Sequence, residues 1–222
     1  MALPFGIDEF MGVFAAYNSA IGPMPLVLGL TALVAAIVAC TRLRHGGRVV
    51  SALLAVLWAW TGIAYHIAFF TRINTAAYVF GSVFLAQALV FMWTGVVHGR
   101  LRFQVNAGAR GIAGALLMTY GLVVYPLLGF AFGHIYPAMP TFGAPCPTTI
   151  FTIGLLFWAV DPWPRHVLLL PILWSAIGGT AAFQLGVPED YGLLAAGAAA
   201  LGLLIHRTVR GRSAAASEGV RR

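Results

Sequence analysis

The chain of 222 residues is predicted to be all-α, a polytopic transmembrane helical bundle of about seven spans. Three observations predict it. Charged residues make up 9% of the chain, against about 25% in a soluble domain, too few to cover a water-facing surface. Apolar residues make up 60%, the mean hydropathy is +0.89, and several apolar runs approach the roughly 20 residues that cross a bilayer as helix. All 13 basic residues are arginine. They fall in the short hydrophilic gaps between the runs, as the positive-inside rule requires. A membrane barrel would alternate polar and apolar residues instead, and no such segment is present.

The N-terminal segment 1–23, "MALPFGIDEFMGVFAAYNSAIGP", places Phe5, Phe10, Phe14 and Tyr17 near helical spacing. It reads equally as an outer interfacial helix or as an extension of the first span. Asp8 and Glu9 stand where a signal peptide would be basic, so the segment is read as part of the mature protein.

The transmembrane domain is expected over 24–206. Its spans are about 24–41, 49–71, 76–97, 111–134, 147–163, 166–186 and 190–206. Arg42, Arg44 and Arg48 follow the first span. Arg100, Arg102 and Arg110 follow the third, Arg165 the fifth, and the C-terminal arginines the last. These gaps are expected in the cytoplasm, with the N-terminus outside and the C-terminus inside. Asp8, Glu9, Glu189 and Asp190 then lie outside with Arg72. The fifth span is the short one. Its clean apolar part, "TTIFTIGLLFWAV", gives roughly 20 Å of helix against a hydrocarbon core of roughly 30 Å. It crosses only by recruiting Pro147 and the "DPWPR" turn, or it is re-entrant. The tail 207–222 is small, polar and basic, and is expected to be disordered and cytoplasmic.

No Asp, Glu or Arg falls in the middle of a span. Ion-coupled transporters keep ionisable groups at membrane depth, so an ion-coupled pump and an intramembrane acid–base enzyme are both disfavoured. Polar residues collect instead at the outer ends of spans. Tyr65 and His66 lie in the outer half of the second span, and Asn74 in the turn after it. His134 ends the fourth span. Tyr136, Cys146, Thr148 and Thr149 come with the proline-rich stretch "YPAMPTFGAPCPTT". His66 can ligate a metal, shuttle a proton or hydrogen-bond a ligand, or simply bond a neighbouring backbone or tyrosine. His66, His134 and Cys146 together could form an N/S metal site, although no pair has local ligand spacing. A bis-histidine haem would need both rings facing across a wide gap. Gln87, near mid-membrane, either bonds a neighbouring helix or lines a pore.

Nucleotide-binding, serine-nucleophile and H-E-x-x-H motifs are missing. The chain has no lysine for a retinal Schiff base. No cofactor is predicted, no nucleic-acid partner is implied, and the reading leans away from an enzyme.

Three stretches, "FMGVFAAYN" at 10–18, "YHIAFFTRINTAAYVFG" at 65–81 and "PTFGAPCPTTIFTIG" at 140–154, resemble an uncharacterised family of small bacterial multi-pass membrane proteins, sometimes labelled permeases. The resemblance covers most of the chain. It implies a bacterial inner-membrane location and singles out Tyr65, His66, Asn74, Cys146 and Thr149. The leading expectation is a permease or channel-like facilitator that takes a small-molecule or ion solute through an outward-facing polar vestibule. Two alternatives stand beside it. One is a metal- or haem-binding membrane redox protein. The other is a non-catalytic subunit or assembly factor, in a homo-oligomer or a larger membrane complex.

Overall fold

The computed structural model describes residues 3–219. Among them the chain forms eight helices: α1 (Ile7–Ile21), α2 (Met24–Cys40), α3 (Gly46–Arg72), α4 (Ala77–Val97), α5 (Ala109–Ala131), α6 (Pro145–Leu156), α7 (Arg165–Leu185) and α8 (Tyr191–Gly219). Each run expected to cross lies on one of them. Length separates them, however. Only α3, α4, α5 and α7, at 27, 21, 23 and 21 residues, are long and apolar enough to cross, or up to five spans if α1 and α2 count as one. The expectation of seven is therefore not met on length. Helix α2 has 17 residues and α6 has 12, and the apolar stretch of α8 stops at Arg207. Helix α8 continues to Gly219, into the expected tail; residues 220–222 of that tail lie outside the described residues.

Helices α1 and α2 meet at 86°, so together they make one span only as a broken one. Gly22 takes a φ of +57° and Pro23 follows it. The left-handed glycine ends α1, and proline is tolerated only in the opening turn of α2. The bend lays α1 across one end of the bundle.

Helix α6 is the centre. All twelve of its residues are buried, and it packs on α2, α3, α5, α7 and α8. At 1.5 Å per residue it is roughly 18 Å long. It crosses α5 at Gly114 and Gly154, where a Cβ on either would come within 2.7 Å of the other's carbonyl oxygen. Two backbones can approach that closely only where both lack side chains.

The chain on either side of α6 is not helical, and its polar groups are satisfied individually. On the arginine-rich side, Gln104 N–H donates to Trp158 O at 2.9 Å and Val160 N–H to Arg102 O at 2.8 Å. The Arg110 guanidinium donates to Ala159 O at 2.7 Å, and the Trp158 indole to Gly111 O at 2.9 Å. On the other side the proline-rich loop turns inward. Asn18, fully buried, donates to Pro137 O at 2.7 Å and Met139 O at 2.8 Å, and accepts from the Thr141 hydroxyl at 2.8 Å. Thr61 donates to Gly143 O at 3.0 Å. Thr61 lies about three turns from the end of α3, so the loop descends well into the bundle. Gly143 makes its tight turn at φ +99° with Leu28 against it.

The connections that carry Arg42, Arg44 and Arg102 line one groove, and Arg100 and Arg102 face Pro162–Pro164 in another. The arginines therefore gather at one end, as their spacing in the sequence suggests. The outward faces of the helices are apolar: Leu26, Leu89, Leu116, Leu127 and Phe183 are each more than 60% exposed.

Asn18→Ala leaves two loop carbonyls and the Thr141 hydroxyl without their partner. The expected cost is about 2–4 kcal/mol. It is read as a lower thermal midpoint of the purified protein and faster proteolysis within residues 135–144.

Candidate functional site

Three of the long helices contain a wider π-type turn: Thr61–Ile67 in α3, Met92–Val97 in α4 and Tyr120–Val124 in α5. Such turns add a residue to the helical repeat and rotate the side chains that follow onto a new face. In α5 the cause is local. Pro126 has no N–H to donate and its ring crowds the carbonyl four residues back, and the wide turn lies immediately before it. In α3 the turn contains Tyr65 and His66, and in α5 it directs Tyr125. These side chains face the interior at the end covered by α1.

There they border a cavity of about 140 Å³ between α1, α3, the descending loop and α7. Its polar groups include those of Tyr65, His66, Asn74, Tyr125, Cys146 and Asp190, and aromatic and aliphatic side chains make up most of the rest. The expected vestibule was polar; the wall found is mostly apolar. An apolar cavity of about 150 Å³ accepts benzene, so a compact solute fits here and a porphyrin does not. Phe10 and Phe14 of α1 cover the cavity, with Phe14 stacked on Tyr65 at 5.2 Å between centroids.

The His66 imidazole is fully buried. Phe84 and Trp174 lie at 4.8 and 5.0 Å from it, with Phe80 and Phe70 at 5.9 and 6.1 Å. Neither ring nitrogen has a hydrogen-bond partner, and neither does the Tyr65 hydroxyl. Buried polar atoms in folded proteins are nearly always paired. Leaving one unpaired costs about 1–3 kcal/mol.

Two acids enter from the turn between α7 and α8. Glu189 and Asp190, expected on the outer side, are 0% and 2% exposed. The turn Pro188–Asp190 tucks beneath the end of α5, where Tyr120 donates to Glu189 O at 2.7 Å. Glu189 Oε1 lies 2.6 Å from His134 Nδ1, while its Oε2 has no partner. The Tyr125 hydroxyl donates to Asp190 Oδ1, and the Cys146 thiol lies beside the same carboxyl. Burial pushes the Asp190 carboxyl up from 3.8 to about 7, against the opposing pull of the Tyr125 and Cys146 hydrogen bonds.

Of the residues singled out from the sequence, Tyr65, His66, Asn74 and Cys146 border the cavity. The others do not. Gln87 donates to Val167 O at 3.0 Å, an interhelical bond. Tyr136 is half exposed and donates to Asn18 O at 3.3 Å. Thr148 and Thr149 are buried in α6 with unpartnered hydroxyls. His134 is engaged by Glu189 outside the cavity, so His66, His134 and Cys146 do not converge. Among the described residues no three His, Cys, Asp or Glu side chains are arranged to hold a metal. Tyr125, Trp174 and Asp190 were not among the candidates. A tyrosine before a mid-helix proline and an acidic pair after Pro188 were the available signals.

Fold and cavity together define an all-helical chain with a small, mostly apolar cavity near one end. The chain belongs to the family of unknown function DUF6064, whose model matches residues 7–215. Neither a curated protein nor a solved structure matches it.

His66→Leu replaces an unpartnered polar ring by an apolar side chain of similar bulk. It is expected to stabilise the ligand-free protein by about 1 kcal/mol, seen as a raised thermal midpoint. Asp190 gives a second expectation. The folded chain keeps its proton up to about pH 7, whereas the unfolded chain releases it near 3.8. Its contribution to stability is therefore full below about pH 4, declines as pH rises towards 7, and is flat above. Thermal midpoints of wild type and Asp190→Asn, compared from pH 4 to 8, should diverge across that window.

Proposed function

We propose that the chain is a multi-pass membrane protein that binds a small, weakly polar solute inside its bundle, as a permease or channel-like facilitator does. The observation that carries this reading is the cavity itself. It is lined mainly by aromatic and aliphatic side chains, and its few buried polar atoms include His66 and Tyr65 groups with no partner. Pockets of that make-up, with a handful of converging polar groups, are how small ligands are held. A solute supplies the missing partners.

The threading supports a transport reading. The arginine-bearing connections share one end, which the positive-inside rule assigns to the cytoplasm of a bacterial inner membrane. The cavity end, with α1, Arg72 and His134, then faces outside. Seven helices, α2 to α8, alternate between the two ends. The short α6 is shielded from lipid by its neighbours and needs no crossing length of its own. Irregular backbone at depth is tolerated where protein or a cavity surrounds it. The three wide helical turns and the bend at Gly22 are places where α1, α3, α4 and α5 could shift to open the cavity.

A panel of small solutes no larger than benzyl alcohol, screened by thermal shift on the detergent-purified protein, should include ligands that raise the midpoint. His66→Leu should lose that shift while remaining folded. The same ligands should equilibrate faster into proteoliposomes containing the wild-type protein. A folded protein that no member of the panel stabilises, and that leaves permeation unchanged, would sink the reading.

A further inference from the structure

The two buried acids differ in how their charge is met. Glu189 has His134 at 2.6 Å. The side-chain hydrogen-bond partners of Asp190 are a tyrosine hydroxyl and a thiol, neither of them cationic, and His134 acts on it without a hydrogen bond. Among the described residues no arginine borders the cavity, and the chain has no lysine. The other titratable groups near Asp190 are Tyr120 and Tyr125 on α5, Cys146 on α6, Tyr65 on α3, and Glu189 and His134. His66 lies across the same cavity. A carboxylate in such a place is costly as a bare anion. It must hold a proton or face a cation.

The walls decide which cation. A metal ion such as calcium or magnesium wants six or more oxygen ligands, and this cavity offers few. It does offer Tyr65, Phe70, Phe80 and Trp174, and aromatic rings attract organic ammonium groups. The size also fits: about 140 Å³ holds a small alkyl- or arylammonium. The unprotonated imidazole nitrogen of His66 and the Tyr65 hydroxyl oxygen add acceptors for ammonium N–H groups.

We propose that the cavity is a site for a small organic cation, which binds against Asp190 in place of that residue's proton. The proposal rests on reading the cavity as a solute site. Cation and proton compete for one carboxyl, so each cation that binds releases a proton to solution. In a membrane this mutual exclusion is the minimum needed to exchange an organic cation for a proton.

The test uses the full-length protein in detergent. Tetramethylammonium keeps its charge at every pH, and tert-butanol is nearly the same shape without charge. Calorimetry at pH 8 should show tetramethylammonium binding ~10-fold or more tightly than tert-butanol. That preference should disappear at pH 5 and in Asp190→Asn, while tert-butanol still binds both. Near pH 7, titrations in buffers of different ionisation heat should show proton release on cation binding. Equal affinity for the two probes, or a cation preference that survives Asp190→Asn and pH 5, overturns the cation site and leaves the solute cavity standing. If neither probe binds the folded wild type, and no neutral solute does, both readings fail together.

Discussion

The structure turns on one helix that is too short. Helix α6 covers roughly 18 Å, yet it lies in the middle of the bundle with every residue buried. The chain must therefore enter and leave it as irregular backbone, among apolar neighbours where each unpaired polar group is expensive. The surrounding helices supply the partners. Asn18 and Thr61 hold the loop on one side. Arg110, Trp158 and the strip around residues 102–104 hold the chain on the other. A longer α6 would need none of these bonds, and it would leave no room for the loop that walls the cavity.

The cavity is a consequence of that geometry. Proline-rich backbone cannot pack against helices as closely as another helix does. It descends beside α3 and stops near Thr61, leaving space between itself, α7 and the crossing α1. The wide turns in α3 and α5 then rotate Tyr65, His66 and Tyr125 toward that space. Aromatic side chains from α1 cover it. Polar atoms remain unpaired on its wall, although an apolar substitution at His66 would be cheaper for folding alone. Stability and the site thus pull in opposite directions at that residue, the usual sign of a position shaped by function.

Much of the fold was legible in the sequence, and for clear reasons. Apolar run length and arginine placement are one-dimensional signals. They located every long helix and the gathering of Arg42, Arg44, Arg100 and Arg102 at one end. The weakness of the fifth run was visible too, because it is a matter of length. What run length could not show is enclosure. Helices α2 and α6 fall short of crossing length but need not meet lipid on all sides, so counting by length and counting by run give different answers. Of the site, Tyr65, His66 and Cys146 stood out as polar residues in apolar surroundings. Trp174 and Tyr125 read as ordinary membrane aromatics. Asn18 read as nothing at all, since its role depends on carbonyls more than a hundred residues away.

The acids are the more instructive case. Glu189 and Asp190 sit between two apolar runs, which places them on the outer side without saying whether they are exposed, and ion coupling is disfavoured because no charge falls in mid-span. Here the turn at Pro188 folds under the end of α5, and both carboxyls enter the bundle. The middles of the spans remain without acids, but that observation does not cover acids buried at the end of the bundle. Asp190 has a tyrosine hydroxyl and a thiol as its side-chain hydrogen-bond partners, so when it ionises a bound cation is what would balance it. An exchange between proton and cation needs no further charged residue, which is how a chain with only six acids and no lysine could still couple a solute to protons.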